Sequence, residues 1–374
     1  MKSEKFFHQG SILKKLLYIC RKDIKDMTIL ITGASGFIGS FIVEEALNQG
    51  FDVWAGVRGT SSRKYLQDKR IHFAQLDMHH PEKLCSELLT YKAEMGGKGW
   101  DYVVHAAGAT KCLHREDFFR TNTEGTKNFI DALRETEMVP RRFVFLSSLS
   151  IFGAIREKPV RRPTADNPWI YSPILLSDDP KPNTAYGESK LAAEHYLKEQ
   201  QDFPYTILRP TGVYGPRERD YFLMAQSIKQ HVDIGAGLTP QEITFVYVND
   251  VVQAVFKSMT APKAEGKAYF LSDGEIYNSR RYSDLVQQYL GNPWVLHMKL
   301  PLCLLRVVCW VSERISHLTG KMNALNSDKF HILSQRNWQC DIQPAIDDFG
   351  YAPQWSLEQG VEASICWYRQ EGWL

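Results

Sequence analysis

The sequence predicts an α/β protein, in which a doubly wound parallel sheet carries helices on both faces and a smaller C-terminal lobe follows. A short β-rich run at residues 27–31 leads into a glycine-rich turn and then at once into a helical pattern. Strand-like and helix-like patterns then alternate as far as Pro210, and such alternation indicates a parallel sheet. The 374 residues are 44% apolar and 24% charged, a balance typical of a globular protein with a sizeable core.

Each predicted element rests on the spacing of its apolar residues. Short β-rich runs predict strands at 27–31, 51–57, 71–76, 102–105, 142–146, 205–208, 245–248 and 268–271. Apolar residues at helical spacing predict helices at 38–49, 81–91, 116–135, 186–200 and 300–318, and a final helix around Trp367 and Tyr368. Gly50 follows the first helical pattern and is expected to end that helix.

The chain divides into three parts. Residues 27–215 are predicted to form a Rossmann dinucleotide-binding and catalytic domain, and residues 216–374 a substrate-binding lobe that is partly interleaved with the sheet. Residues 1–26 form an N-terminal extension that precedes the first strand and is rich in lysine and arginine. The extension is either a loosely packed upstream segment or a basic amphipathic segment that touches a membrane surface.

Charge and cysteine content exclude several classes of function. Lys plus Arg total 45 and Asp plus Glu total 43, without a long basic run, so we expect no nucleic-acid partner. The seven cysteines include no Cys-x-x-Cys pair, which predicts free thiols in a reducing cytoplasm and no metal site. We also expect no stable membrane insertion, because the most apolar run, 300–311, is short and contains Pro301 and Arg306.

The glycine-rich turn is the predicted cofactor site. Gly33-x-x-Gly36-x-x-Gly39 follows a strand and opens a helix, and glycines allow both the sharp turn and a close approach to a pyrophosphate. The free N–H groups and the positive end of the helix then hold the anion. The predicted contacts in this turn are Gly33, Ser35, Gly36, Phe37, Ile38 and Gly39.

The end of the second strand predicts which cofactor is preferred. An acidic residue there would bind the 2′-hydroxyl of NAD, whereas an arginine suits the 2′-phosphate of NADP. Val57 takes the position of the acid and Arg58 follows, so we expect NADP(H) to be preferred and NAD(H) to be the alternative. Asp77, at the end of the third strand, either accepts a hydrogen bond from the adenine or caps the helix near Pro81.

The predicted catalytic pair is Tyr186-x-x-x-Lys190, which places two side chains on one helix face, a turn apart. A tyrosine with an ordinary pKa of about 10 needs a nearby cation to act as a base near neutral pH. Lys190 can supply that charge and also bind the nicotinamide ribose. Ser148, at a strand end, can donate to the substrate oxygen, although Ser147 and Ser150 are alternatives. These groups move a proton while the nicotinamide moves a hydride, without a metal.

A second copy of the Tyr-x-x-x-Lys spacing runs from Tyr65 to Lys69. No serine-rich strand end precedes it. We therefore predict that this copy lies on a surface helix and takes no part in catalysis.

Several motifs, in order, resemble the extended short-chain dehydrogenase/reductase superfamily, the NAD-dependent epimerase/dehydratase family, over residues 27 to 370. They are Gly33-x-x-Gly36-x-x-Gly39, His105-Ala106-Ala107-Gly108, Asn122-x-x-Gly125-Thr126, Ser147-Ser148, Tyr186-x-x-x-Lys190 and Arg209-Pro210-Thr211-Gly212-Val213-Tyr214-Gly215-Pro216. Aligned on Phe152-Gly153, the catalytic serine of the family falls on Ser148. The resemblance implies a Rossmann domain with a smaller lobe, and often a homodimer through a four-helix contact. It also implies cofactor contacts from Met78, Ala106, Ala107, Gly108, Asn122, Tyr186, Lys190, Pro210 and Val213.

Two branches of this superfamily compete. Arg58 after Val57 resembles dihydroflavonol reductases, and the carboxy-terminal part resembles bacterial relatives of 3β-hydroxysteroid dehydrogenases, which act on lipophilic secondary alcohols. The rival branch is nucleotide-sugar epimerases and dehydratases, which often carry the acid that is missing here. Arg217 and Arg219 could bind the diphosphate of such a sugar, or could be solvated loop charges.

The expected function is therefore hydride transfer between a nicotinamide and the ketone or secondary alcohol of a lipophilic small molecule, steroid- or flavonoid-like. Alternatives are a nucleotide-sugar epimerase or dehydratase with tightly held cofactor, and a non-catalytic NAD(P)-sensing protein. The Pro-rich loop at 156–183 either borders the substrate, with Trp169, Tyr171 and Ile174 lining an apolar pocket, or is a surface excursion. The apolar helix at 302–311 is either a pocket lid or lobe core.

Overall fold

The computed structural model describes residues 27–165, 167–320 and 325–374, so the predicted extension 1–26 lies outside the described residues. Its strands, in chain order, are β1 (Thr28–Thr32), β2 (Asp52–Val57), β3 (His72–Gln75), β4 (Tyr102–His105), β5 (Arg142–Leu146), β6 (Tyr205–Pro210), β7 (Gly212–Tyr214), β8 (Val232–Ala236), β9 (Glu242–Ile243), β10 (Phe245–Tyr247), β11 (Lys267–Leu271), β12 (Tyr277–Asn278) and β13 (Leu296–Leu300).

The α-helices, in chain order, are α1 (Phe37–Gln49), α2 (Pro81–Glu94), α3 (Arg115–Phe118), α4 (Gly125–Glu135), α5 (Ala185–Glu199), α6 (Asp220–Lys229), α7 (Val248–Thr260), α8 (Arg281–Tyr289), α9 (Leu302–Thr319), α10 (Ser327–Ser334), α11 (Gln343–Phe349) and α12 (Leu357–Gln370). A π-helical segment, Phe119–Glu124, joins α3 to α4. In the described part of the chain, no helix is both long enough and apolar enough to cross a bilayer.

The central sheet has seven strands in the order β3-β2-β1-β4-β5-β6-β11, and all neighbours are parallel. This arrangement confirms the predicted doubly wound sheet. The order reverses at β1, whose neighbours are β2 and β4. Ligands of such sheets bind outside the carboxyl ends of the strands, at the point where the order reverses. The glycine turn after β1 lies at that point.

Hydrophobic cores lie on both faces of the sheet, as β1 illustrates. Ile29 and Ile31 belong to one core, whereas Leu30 between them belongs to the other, and all three are fully buried. Side chains alternate between the two faces of a strand, so a strand with helices on both sides must be apolar at every position. This is why the strand reads as a continuous apolar run in the sequence.

Two predicted elements are wrong in detail. The helix predicted at 116–135 is interrupted by the π-helical segment Phe119–Glu124, which widens one turn. The surface helix predicted around Tyr65 is absent, because residues 61–70 form turns. The Tyr65 ring instead packs against Trp367, at 6.4 Å between centroids, and beneath the Arg217 guanidinium. These contacts hold the segment after β2 against the carboxy-terminal part of the chain.

The region after β6 forms smaller pairs of strands and packs against the sheet domain. β10 pairs with β7, and β13 pairs with β8, both in parallel. Its core is rich in tyrosine, including Tyr214, Tyr282 and Tyr368. β11 then returns to the edge of the central sheet, beside β6. Apolar residues of α9 pack against α10.

Candidate active site

The turn after β1 has the geometry that close approach to a ligand requires. The Gly36 N–H donates to the Gly33 carbonyl at 2.9 Å, and Gly33 has φ +69°. A Cβ on Gly33 would lie 2.7 Å from the Ala106 backbone, and one on Gly39 would overlap the Gly33 carbonyl oxygen. Side chains are therefore excluded from both positions by neighbouring backbone. Ser35 lies between them, half-buried.

The amino end of α1 is open to an anion. Gly36 is its N-cap residue, and no side chain caps the helix within the ranges that the structure describes. The first N–H groups of a helix, which include those of Phe37 and Ile38, have no partner within the helix, and they carry its positive dipole end. The residues present thus fit a dinucleotide pyrophosphate, because the glycine turn lets it approach and the helix end binds its charge.

The segment after β4 lies against the same turn. The Ala106 N–H donates to the Thr32 carbonyl at 3.2 Å, and the Ala107 N–H donates to Thr32 Oγ1 at 3.3 Å. His105 bridges β1 and α4. Its Nδ1 lies 2.8 Å from Thr32 Oγ1, and its Nε2 lies 3.0 Å from Thr126 Oγ1. Burial, and next the Lys190 charge, lower the pKa of His105 to about 3. This histidine is therefore neutral and structural.

Asn122 connects the 106–109 segment to α5, which we name the catalytic helix because it carries the predicted pair Tyr186 and Lys190. Its Oδ1 accepts from the Ala109 N–H at 2.7 Å, and its Nδ2 donates to the Ala109 carbonyl at 3.0 Å and to Ser189 Oγ at 2.9 Å. The side chain is fully buried and lies in the π-helical segment. The widened turn thus carries the amide that links the two segments. π-Helical turns occur frequently at functional sites.

Lys190 lies beneath Gly108 and is 4% exposed. Its Nζ donates to the Leu146 carbonyl at 2.9 Å and lies 4.8 Å from the centre of the Phe145 ring. A Cβ on Gly108 would be only 3.0 Å from Nζ, so a glycine at 108 leaves room for the ammonium group. Burial lowers the pKa of Lys190 to about 8, although the Glu194 carboxylate partly opposes that effect.

Tyr186 lies in the first turn of the same helix as Lys190, two residues after the N-cap residue Thr184, whose hydroxyl accepts from the Gly187 N–H. Burial raises the pKa of Tyr186 to about 12, whereas a hydrogen bond with Ser148 acts in the opposite direction. Ser148 in turn accepts from Ser150 Oγ at 2.9 Å. The serine at the tyrosine is therefore Ser148, and Ser150 orients it.

A buried ion pair fixes the catalytic helix one turn beyond Lys190. The Arg209 guanidinium donates to both oxygens of Glu194, at 2.9 and 2.6 Å, and both side chains are almost fully buried. Burial alone would raise the pKa of Glu194, but the Arg209 hydrogen bonds and charge hold it below its ordinary value. Sequence reasoning missed Glu194, although its spacing of four residues from Lys190 is visible in the sequence.

The lobe also reaches the catalytic helix. The Asp328 carboxylate, on α10, accepts from the N–H groups of Ala185 at 3.2 Å and Tyr186 at 3.4 Å. A negative charge at the amino end of a helix is stabilising. No sequence signal could have identified Asp328, because it lies more than 140 residues from its partners.

The remaining predicted cofactor residues lie at the carboxyl ends of the strands. Arg58 is exposed just after β2, and its guanidinium makes no hydrogen bond or ion pair with any residue in the described ranges. Pro210 ends β6, and Val213 packs half-buried in β7. Met78 is also half-buried, and its carbonyl accepts from Asn128 at 2.8 Å.

Asp77 is held by two basic side chains. Its Oδ2 accepts from Lys83 and lies close to His80, both at 3.0 Å. These partners, His80 first, lower the pKa of Asp77 to about 2 despite partial burial. The alternative of a helix cap at Asp77 is wrong, since His80 is the N-cap residue of α2.

The long loop between Ser148 and Tyr186 packs on the lobe. Tyr171 and Ile174 are fully buried in the protein and are not among the residues that line the cavity beside Trp169, which corrects the expectation that all three line one pocket. The Glu242 carboxylate holds the loop, since it accepts from the Ile170 N–H at 2.5 Å and the Tyr171 N–H at 3.1 Å. Trp169 does line a cavity of about 290 Å³ between the loop and the lobe.

Arg217 and Arg219, which the sequence suggested as possible diphosphate ligands, have other contacts in the structure. Arg217 donates to Ser40 at 2.8 Å and to Glu44 at 2.5 Å, so it ties the lobe to α1 and is neither free nor solvated. Arg219 is exposed, with its guanidinium 5.7 Å from the centre of the Trp373 ring.

Known proteins resemble this chain over nearly its whole length. It is 23% identical to a UDP-glucose 4-epimerase of Vibrio cholerae over 92% of this chain and 96% of that protein. It is 24% identical to an N-acetyl-alpha-D-glucosaminyl-diphospho-ditrans,octacis-undecaprenol 4-epimerase of Escherichia coli O157:H7, over 90% and 94%. It is 20% identical to a decarboxylating sterol-4-alpha-carboxylate 3-dehydrogenase of Candida albicans, over 92% and 98%.

Solved structures share the fold. The Bordetella bronchiseptica enzyme WbmG in complex with NAD gives a TM-score of 0.69 at 20% identity, over 93% of this chain and 95% of that one. The UDP-glucose 4-epimerase of Thermotoga maritima with UDP-glucose gives 0.69 at 20% identity, over 92% and 99%. The model of the NAD dependent epimerase/dehydratase family matches residues 29–278, which is more than half of the chain. The chain therefore belongs to the NAD-dependent epimerase/dehydratase family and is an enzyme of the extended short-chain dehydrogenase/reductase kind.

Proposed function

We propose that this protein is an oxidoreductase that prefers NADP(H) and acts on the ketone or secondary alcohol of a lipophilic small molecule, steroid- or flavonoid-like. The observation that carries the proposal is the assembly of Ser148, Tyr186 and Lys190 beside the glycine turn. Their contacts put a hydroxyl donor at the phenol, and a buried ammonium group a helical turn away. This is the set of groups that proton transfer at an alcohol oxygen needs.

Each residue of the candidate site has its own role in the proposed reaction. The nicotinamide, when bound, supplies the hydride chemistry. Tyr186 gives its proton to the carbonyl oxygen during reduction and takes it back during oxidation. Ser148 holds that oxygen in place, and its own acceptance from Ser150 leaves its proton free for donation. The Lys190 charge stabilises the phenolate that forms at Tyr186, which a phenol with a pKa of about 12 requires.

The preference for NADP(H) rests on Arg58. Its exposed guanidinium follows β2, where the adenosine ribose of a bound dinucleotide lies in such folds. A guanidinium binds a phosphate with two parallel hydrogen bonds, and Arg58 is not engaged by any carboxylate in the part of the chain that the structure describes. Asp77, in contrast, is paired with Lys83.

The lipophilic substrate class has two supports. The relatives include a sterol-4-alpha-carboxylate 3-dehydrogenase, whose named substrate is a large apolar ring system. In addition, three cations near the lobe are paired with carboxylates. Arg217 binds Glu44, and both Lys111 and Lys329 bind Asp220. A diphosphate would have to displace these carboxylates.

A nucleotide-sugar epimerase or dehydratase is the second candidate. The similarity to UDP-glucose 4-epimerases favours it. The cavity beside Trp169 also presents polar groups, including Arg161 and Asn167, which could hold a sugar. An epimerase returns its hydride to the substrate, so turnover leaves the absorbance of the nicotinamide unchanged.

The two functions are separated by one set of assays. Purified protein is given NADPH with a panel of ketones, including steroids, and separately UDP- and dTDP-sugars, with products identified. We expect NADPH oxidation with a lipophilic ketone, and a loss of roughly a hundredfold or more in Tyr186→Phe because the proton donor is removed. Turnover of sugar nucleotides alone would refute the proposed substrate class. Unchanged ketone reduction in Tyr186→Phe would refute the mechanism.

The cofactor preference has its own test. We expect Arg58→Ala to lower kcat/KM for NADPH by roughly tenfold while leaving that for NADH nearly unchanged, because one charged pair with the 2′-phosphate is lost. Arg63→Ala is the matched control, since Arg63 packs over the Phe73 ring at 4.0 Å. Equal effects of both substitutions on both cofactors would contradict the assignment.

A further inference from the structure

Helix α9 carries two apolar stripes, of which the fold covers one. The inner stripe consists of Leu305 and Cys309, which are buried, and Leu302, which is half-buried, and the hydroxyl-bearing Ser316 is buried on the same side. Leu305 and Cys309 pack with Phe330 of α10. A helix at the surface of a domain normally presents polar residues on its other side.

The second stripe faces away from the lobe. Its members recur at spacings of three and four residues along the whole helix and are all at least two-fifths exposed: Leu304, Val307, Val308, Val311, Ile315 and Leu318. We name these six residues the outer face. Leu318 is 87% exposed, and no residue of the described ranges covers the outer face. An apolar stripe of this length on a surface marks an interaction site.

The strand before α9 also carries exposed apolar residues. β13 leads directly into α9 through Pro301, and Leu296 and Met298 on this strand are exposed. Ile234 of β8, which pairs with Met298, is exposed as well. Trp294 is 72% exposed just before the strand. An outward-facing surface of this size in one stretch of chain differs from the scattered apolar residues of an ordinary surface.

The charges around the outer face are positive. Between residues 294 and 319 the cations are Lys299, Arg306 and Arg314, all exposed, and the acidic residue is Glu313. Glu313 accepts a hydrogen bond from Ser327 of α10, so its carboxylate is directed toward that helix. Trp310, 54% exposed, lies beside the stripe beneath the Arg314 guanidinium. Helices that lie in the interface of an anionic bilayer combine apolar side chains, tryptophan and flanking basic residues in this way.

From this combination we propose that the outer face of α9 docks on the surface of an anionic lipid bilayer, with the helix lying in the interface and not crossing it. Apolar side chains enter the region between headgroups and acyl chains, and Arg314 and Lys299 bind lipid phosphates, whereas Arg306 lies over the Phe330 ring on the covered side. Neither the cavity beside Trp169 nor the one beside Tyr65 borders the outer face, and the flanking tryptophan favours a lipid surface. A second copy would bring the same positive charges against one another.

The docked helix would lie beside the entrance to the candidate active site. The His317 ring, near the end of α9, is 5.5 Å from the His114 ring, which precedes α3. The neighbouring helix α10 reaches the backbone of Tyr186 through Asp328. A lipophilic substrate could therefore pass from the bilayer to Tyr186 without entering bulk water. This last step rests on the proposed function, whereas the docking itself does not.

The test is sedimentation of the full chain with vesicles, which does not depend on catalysis. Vesicles of phosphatidylcholine alone are compared with vesicles that also contain phosphatidylglycerol. We expect the protein to sediment with the anionic vesicles, and the double variant Val308→Glu, Ile315→Glu to bind them roughly tenfold or more weakly, because two apolar side chains no longer insert. Both substituted residues are exposed, so the fold should be retained, which the thermal midpoint checks.

The control is a matched double variant at exposed apolar residues elsewhere, Leu89→Glu on α2 with Ile346→Glu on α11, which should bind like the natural chain. Absence of binding by the natural chain would overturn the proposal. Equal binding by the outer-face variant would overturn it too, because another region would then be responsible. Sedimentation velocity without lipid gives the third outcome. A natural dimer that the outer-face variant converts to monomer would assign this face to a second copy and not to lipid.

Discussion

Replacing Lys190 by methionine should make the cofactor-free protein more stable, although Lys190 belongs to the candidate catalytic set. Burial lowers the pKa of Lys190 from its ordinary 10.5 to about 8. At about 1.4 kcal/mol for each tenfold change, this difference amounts to about 3 kcal/mol against the charged form at pH 7. Methionine has nearly the same shape and removes that penalty. It also leaves the Leu146 carbonyl without its partner, which costs about 1 kcal/mol.

The net expectation is that Lys190→Met is more stable than the natural chain by about 2 kcal/mol at pH 7. The penalty is fully present below pH 8, where the folded protein must hold a buried cation. It fades as pH rises from 8 to 10.5, because the ammonium loses its proton in the folded protein first. At pH 9.5 the advantage of the variant should therefore nearly vanish.

Urea unfolding at pH 7 and pH 9.5 measures both quantities. Lys229→Met, at an exposed position at the end of α6, is the control, and it should change the free energy of unfolding by less than about 0.5 kcal/mol at either pH. The reasoning is refuted if Lys190→Met is less stable than the natural chain at pH 7, since the buried ammonium would then be a stabilising group.

Three further substitutions address the contacts around this site. Glu194→Gln should lower the free energy of unfolding by about 3–5 kcal/mol, because Arg209 stays buried without its counter-charge; a loss under about 1 kcal/mol in urea unfolding would contradict this. Gly108→Ala should reduce ketone reduction roughly tenfold at an unchanged thermal midpoint, because the new methyl would lie 3.0 Å from Lys190 Nζ; full activity would show that the ammonium group can move away. Asp328→Ala should destabilise the protein by about 1 kcal/mol in urea unfolding, and Asp328→Asn by less, since the amide still accepts hydrogen bonds; equal losses would assign the effect to charge alone.

The sequence was sufficient wherever a structure depends on residues near one another along the chain. The turn at Gly33, the helix that follows it and the one-turn separation of Tyr186 from Lys190 are of this kind. The strands of the central sheet are too, because their apolar runs are local. The same reasoning failed at Tyr65, where a helical spacing was present but contacts with Trp367 and Arg217 hold the segment in turns.

Other parts of the site required the folded chain. In the π-helical turn, the Asn122 amide forms hydrogen bonds with both Ala109 and Ser189. No local sequence pattern predicts this turn. Asp328 reaches Tyr186 across more than 140 residues. The sequence of α9 shows an apolar helix, but only packing against Phe330 decides which stripe is covered and which is exposed.

The sequence by itself thus determined the doubly wound sheet, the glycine turn and the one-turn spacing of Tyr186 and Lys190. Tertiary structure alone decided that Lys190 is buried beneath Gly108, that Arg217 is tied to Glu44 and that α9 keeps an apolar face outward. The physical reason is the distance along the chain over which each kind of interaction acts. Backbone preference and side-chain periodicity act over a few residues, whereas burial, pKa and charge pairing depend on neighbours that only the packed chain brings together.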